Sequence, residues 1–169
     1  MSAVPVPSRL LSDDAYRRID RELAKYPPDQ RQSATMSALR IAQKEKRWIS
    51  PEVIDDLAAY IGLPPIAVYE VATFYNMYNM KPVGKFKLAV CTCLPCALRD
   101  GEKAGEYLKE KLGIDYNETT ADGLFTLVES ECQGACGDAP VMMVNNDLQC
   151  SFMDNQRLDE LIARLRSEA

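Results

Sequence analysis

The chain has 169 residues, 47% of them hydrophobic, with a net charge of −5 and no histidine. That length suits one ordinary domain, or a compact domain with a helical extension, and the apolar content can fill a core. The missing histidine excludes Ser-His-Asp and Cys-His catalysis, Rieske centres, HExxH zinc sites and His-containing zinc fingers, so any metal must be held by sulfur or carboxylate.

The opening MSAVPVPSRLLSDD lacks the apolar stretch of a secretory signal, and no apolar run approaches the ~20 residues of a membrane span. A cytoplasmic chain without membrane insertion is expected. Ser12 predicts the N-cap of a first helix with Tyr16, Ile19 and Leu23 on one face. After Pro27-Pro28 a second helix is expected from about Gln30 to Lys46, ending in a basic turn that suits the negative helix end. Ser50-Pro51 opens a third, with Val53, Leu57, Tyr60 and Ile61 at helical spacing and Gly62 as its stop. Pro64-Pro65 opens a fourth, carrying Val68, Val71, Tyr75 and Tyr78 along one stripe. Residues 51–78 hold four acids (Glu52, Asp55, Asp56, Glu70) and no Lys or Arg, which argues against a DNA-reading helix pair and for a helical bundle. The stretch VATFYNMY, residues 71–78, is a candidate contact surface, although aromatic and Met residues at helical spacing are commonly core.

Lys81-Pro82-Val83-Gly84 marks a boundary between a helical domain, 1–82, and a second domain, 83–169. Beyond it Phe86, Leu88 and Val90 alternate with Lys85, Lys87 and Ala89, the pattern of a strand with one face buried, running into Cys91. A helix from about Gly101 to Leu112, closed by Gly113, is followed by a strand over 124–128. Strands 141–144 and 148–152 flank Asn145-Asn146-Asp147 as a hairpin. Asp154 or Asn155 caps a last helix with Leu158, Leu161, Ile162 and Leu165 inward. The order is that of a small thioredoxin-like α/β sandwich, making the whole chain α+β. Residues 85–169 carry nine Lys/Arg against fifteen Asp/Glu, which disfavours nucleic-acid binding.

Six cysteines in a reducing compartment point to metal binding or redox chemistry rather than a disulfide framework. In CTCLPCAL, residues 91–98, Cys91 and Cys96 form a C-x4-C. In ECQGACGDAP, residues 131–140, Cys132 and Cys136 form a C-x3-C. Each group follows a predicted strand, so the two loops are expected to converge. Four sulfurs suit a Zn(Cys)4 site or an iron–sulfur cluster; pairs thirty-five residues apart, without tight C-x2-C knuckles, favour a [2Fe–2S] cluster, whose irons each take a pair. Gly134 and Gly137 would let the backbone fold closely around such a group. A second reading is a dithiol: Cys93-Leu94-Pro95-Cys96 before a helix, with Ala139-Pro140-Val141 ahead of a strand, has the look of a thioredoxin active site. It leaves Cys132 and Cys136 unexplained. Cys150, inside a predicted strand, reads as a small core hydrophobe.

Taken together, Cys91, Cys96, Cys132 and Cys136, ECQGACGDAP, VATFYNMY and the helical front end resemble the E-type chains of NADH:quinone oxidoreductase (respiratory complex I), a family of thioredoxin-like [2Fe–2S] proteins. The match runs from about Ser12 to Arg166. The resemblance implies that Cys91 with Cys96 bind one iron and Cys132 with Cys136 the other. It implies an electron-transfer subunit of an enzyme complex, peripheral on the inner side of a bacterial membrane. Its cluster would exchange single electrons with the FMN of a flavoprotein partner, the F-type chain of the complex, which holds FMN, NADH and a [4Fe–4S] cluster; the other peripheral-arm subunits are further partners. Related chains serve NAD-dependent formate dehydrogenases and NAD-reducing hydrogenases. No Gly-rich phosphate loop is present, consistent with nucleotide sites lying on the partner. Cys93 departs from the simplest motif. Asp100, Glu129, Glu131 and Asp138 near the thiols, against Arg99 alone, predict a low reduction potential.

Overall fold

The computed structural model describes residues 9–169; the first eight residues of the opening stretch, and of the 1–82 domain, lie outside it. Its contacts divide the chain into two compact units, meeting at Pro82 and Val83.

Among the described residues the N-terminal unit holds four α-helices: α1 (Asp13–Leu23), α2 (Thr35–Lys46), α3 (Pro51–Ile61) and α4 (Pro65–Phe74). Local chemistry sets most of their ends. Ser12 Oγ accepts from Ala15 N at 3.2 Å, and Ser50 Oγ from Val53 N at 3.4 Å, each capping an orphan amide. Gly62 ends α3 at a φ of 88°, a left-handed conformation that a side chain would strain. Ile19, Leu39, Ala42, Ile49, Leu57, Ile61 and Val68 form one buried cluster between these helices.

Two expectations for this unit are corrected. The helix anticipated from Gln30 starts at Thr35, because residues 28–34 run as 3-10 turns broken at Gln30 (φ −119°). Residues 24–33 are all exposed, so no apolar stripe pulls them into an α-helix, and Thr35 Oγ1 donates back to Gln32 O at 2.7 Å. The fourth helix stops at Phe74, and Tyr75 is extended. Gln43 on α2 holds the following turn from both sides, its Nε2 donating to Met77 O at 2.9 Å and its Oε1 accepting from Asn79 N at 2.6 Å. Tyr78 is therefore buried from outside the helix, with its hydroxyl on Met36 O, while Tyr75 is exposed.

The C-terminal unit runs β1 (Phe86–Cys91), α5 (Leu94–Ala97), α6 (Gly101–Leu112), β2 (Phe125–Ser130), β3 (Met142–Val144), β4 (Leu148–Cys150) and α7 (Asn155–Ser167). The sheet order is β2-β1-β3-β4, with β1 parallel to β2 and antiparallel to β3. Phe86, Leu88, Val90, Phe125 and Leu127 pack with Leu108 of α6 and Leu158, Leu161 and Leu165 of α7, so both long helices share one core with the sheet. Asn145 and Asn146 take φ of 54° and 57°, turning β3 into β4 as a tight hairpin requires. Asp154 caps α7 through Arg157 N. Apart from the one-turn α5, which the sequence pattern does not announce, and a β2 that runs two residues further than the expected 124–128, the layout is the anticipated strand and helix order, and the whole is α+β. Two further details differ. All six residues of β1 are buried, Lys87 included, so the strand is covered on both faces and not on one; burial lowers the Lys87 pKa. The last strand ends at Cys150 because Phe152 turns to a φ of 55°.

No helix among the described residues is long and apolar enough to cross a membrane.

Candidate metal centre

Because β1 and β2 are parallel neighbours, their carboxyl ends lie side by side, with Cys91 opposite Ser130. Chain leaving both strands at that edge delivers the two cysteine groups to one place. Cys91 is the last residue of β1, and its amide donates to Val141 O at 3.1 Å. Cys96 follows on α5, and both thiols are 1% exposed. Ala139 and Val141 pack against this buried pair, with Ala135 of the second loop beside them. Cys132 and Cys136 are exposed, with sulfurs 3.6 Å apart.

The thiols perturb one another. Burial raises the Cys96 pKa, reinforced by the Cys91 thiol. The Cys136 pKa is raised chiefly by its hydrogen bond with Cys132, and Cys91 adds to it from the other pair. The pairs are thus in electrostatic reach of each other while each keeps its own close partner. Among the described residues no three Cys, Asp or Glu side chains are grouped so as to hold a single ion. An all-thiol donor set arranged in twos fits a [2Fe–2S] cluster, in which each iron takes one pair.

Cys93 stands apart. Its Sγ donates to Glu131 Oε2 at 3.3 Å, and that hydrogen bond, ahead of burial, pushes its pKa up to about 11. A redox dithiol needs a thiol whose pKa is lowered; Cys93 and Cys96 are both raised. The Ala139–Pro140 peptide is cis. Cys150 is half-buried on β4, its pKa raised by burial.

The flanking charges are largely engaged. Glu129 accepts from Thr92 Oγ1 at 2.7 Å, Asp138 from Ser151 Oγ at 3.1 Å, and Asp100 pairs with Lys103 at 2.8 Å. Gly134 takes a φ of 77°, whereas Gly137 has open space and no positive φ, so only the first is required by the backbone.

The sequence marks Gly101 only as a helix start, yet a Cβ there would lie 2.8 Å from Cys96 O and 2.9 Å from Cys91 O. The start of α6 is pressed onto the backbone of both buried cysteines. Gly101→Ala is expected to displace that loop at a cost of about 1–3 kcal/mol. It should lower metal retention on purification; unchanged iron content would show that the loop yields freely. Sequence reasoning misses Glu131 as a partner of Cys93, and Gln133 altogether, since the groups they bond, Cys93 and Ala89, are far off in sequence.

A family model described as "Thioredoxin-like [2Fe-2S] ferredoxin" matches residues 19–166. The "NADH-quinone oxidoreductase subunit 2" of Thermus thermophilus is 42% identical over 155 residues, 92% of this chain and 86% of that protein. The E-type chain of the NADH-quinone oxidoreductase of Rickettsia bellii is 40% identical over 147 residues, 86% of this chain and 87% of its own. Among solved structures, an NAD+-reducing [NiFe]-hydrogenase in the H2-reduced state superposes with a TM-score of 0.69 at 19% identity. That match covers 80% of this chain and 22% of the hydrogenase chain, so it speaks for the fold alone. With the four thiols at the ends of two parallel strands, and relatives that match it over most of their length, this chain belongs to the thioredoxin-like [2Fe–2S] ferredoxin family.

Proposed function

We propose that Cys91 and Cys96 hold one iron of a single [2Fe–2S] cluster and Cys132 and Cys136 the other. In this reading the chain is the electron-transfer subunit of an NADH:quinone oxidoreductase of the complex I type. The observation that carries the reading is the meeting of a buried and an exposed thiol pair at the carboxyl edge of β1 and β2. When bound, the cluster supplies a one-electron store. The chain's own residues bind and shield it: the buried pair excludes water from one side, and the exposed pair leaves the other side open toward a partner.

That partner is a flavoprotein, the F-type chain of the complex, carrying FMN and NADH, with single electrons passing between its FMN and this chain. The names of the Thermus and Rickettsia relatives, both subunits of an NADH-quinone oxidoreductase, support a place in a complex of several subunits. The residues 1–82 and 83–169 act as two domains, and the protein sits peripherally on the inner side of the membrane within the complex.

Two measurements test the reading. Purified chain should be brown, with two irons and two acid-labile sulfides, the content of one such cluster; colourless protein with one zinc overturns the assignment. A tagged chain should retain a flavin-containing partner with NADH dehydrogenase activity, and retention of a flavin-free partner set overturns the place in the complex. The acidic surroundings of the site make its midpoint potential negative against the hydrogen electrode, since added negative charge opposes electron uptake. A redox titration giving a positive midpoint overturns that expectation.

A further inference from the structure

Gln133 follows Cys132 in the second loop, and its side chain reaches out of that loop. Its Nε2 donates to Ala89 O at 2.9 Å and to Ser130 Oγ at 2.8 Å. Ala89 lies two residues before Cys91 on β1, and Ser130 two residues before Cys132 at the end of β2. One planar carboxamide therefore spans the two strands whose ends deliver the two thiol pairs.

Neither acceptor depends on the glutamine. Ala89 is paired with Met143 in the antiparallel ladder, and the Ser130 hydroxyl donates to Glu131 O at 2.9 Å. With its proton so engaged, Ser130 Oγ accepts, and the amide must face it with an N–H. The amide oxygen is meanwhile buried without a hydrogen-bond partner among the described residues. Such burial costs stability that an apolar side chain of similar reach would not lose. A residue that is costly to bury, and bonded to groups already satisfied, contributes through position rather than through stability.

We infer that Gln133 is a positioning residue that fixes the Cys132–Cys136 pair relative to Cys91 and Cys96, and so sets the geometry of the metal centre. The inference rests on the reading that these four thiols share one [2Fe–2S] cluster. Its Nε2 bonds tie the exposed loop that carries the second pair to the interior strand that carries the first. Metal centres respond to such outer contacts, which orient the ligands and tune the metal.

The test uses the full chain and three variants. Gln133→Leu removes both N–H groups at similar length. It should melt no lower than the wild type, yet release iron to a chelator about tenfold faster, as two lost hydrogen bonds imply. Its reduced form should show shifted EPR g-values and a changed midpoint. Ser130→Ala removes one of the two bonds and should give a smaller effect in the same direction, about threefold. The double variant should match Gln133→Leu alone, because the Ser130 contact acts only through the amide. A wild-type chain without iron and sulfide overturns the ligand assignment and this inference with it. A cluster-bearing wild type whose Gln133→Leu variant keeps its release rate, g-values and midpoint overturns the inference alone. So does a variant that loses thermal stability with its spectrum unchanged, since that is a merely structural role. Should Gln133→Leu fail to fold, Ser130→Ala decides by the same readings.

Discussion

Cys132→Ser is expected to leave a folded chain without its metal centre, while Cys93→Ser keeps the full complement of iron and sulfide. The difference follows from where each thiol stands. Cys132 lies 3.6 Å from Cys136 and is exposed, so no core packing is lost when its sulfur becomes oxygen. What is lost is one of four soft thiolate donors. Removing only an outer partner of a metal ligand costs 10–100-fold in affinity, so replacing the ligand itself should cost more than roughly a hundredfold. Cys93 is two residues from Cys91 and is the nearest rival for its role, yet its thiol is a protonated donor to Glu131. Serine can make the same hydrogen bond, and the partly exposed site should shift stability by no more than about 0.5 kcal/mol. Iron and acid-labile sulfide assays on both variants, with Cys91→Ser alongside, read the outcome directly. Loss of the cluster in Cys93→Ser and its retention in Cys91→Ser would move the first iron to a different pair.

The features of this chain that were legible in its sequence are those set by a few neighbouring residues. Ser12 and Ser50-Pro51 start helices, Gly62 and Gly113 end them, and Asp154 caps the last, each through bonds spanning four residues or fewer. The alternation of Phe86, Leu88 and Val90 likewise announced β1. It also misled, because alternation records one apolar face and says nothing of what packs on the other, and both faces of β1 are covered. The end of α4 was hidden for a related reason: Gln43, more than thirty residues upstream, holds the turn that Tyr75 enters. At the metal centre, cysteine spacing marked the two groups, and strand pairing explains why they meet. Spacing could not reveal that the eye-catching Cys93 is engaged by Glu131, that Gly101 abuts both buried cysteines, or that Gln133 bridges the strands. Those contacts exist only once β1 and β2 are side by side.

In the N-terminal unit the largest expected loss of stability is at Asp56, a carboxylate on α3 that is only 1% exposed. It accepts from the Arg9 amide at 2.7 Å, the Leu10 amide at 3.3 Å and the Tyr16 hydroxyl. One side chain thus fastens both the entry to α1 and its first turn onto α3. The Tyr16 pKa is raised, first by burial and then by this carboxylate, so its proton stays in the bond at any physiological pH. Asp56→Ala leaves three donors without their acceptor, and hydrogen bonds to charged groups are worth about 1.5–3 kcal/mol each. Water can reach the two backbone amides once the segment loosens, but it reaches the buried hydroxyl poorly; the net loss should be about 3–5 kcal/mol. Tyr16→Phe keeps the two amide bonds and should cost about 1–2 kcal/mol. The single tryptophan, Trp48, falls in this unit, and all six cysteines fall in the other. Urea unfolding followed by Trp48 fluorescence therefore reports the helices, while visible absorbance reports the metal centre. A fluorescence transition for Asp56→Ala within about 1 kcal/mol of the wild type would mean that the entry segment finds other partners. A shift of the predicted size, with absorbance in buffer unchanged, would place the clamp in the helical unit and leave the thiol geometry independent of it.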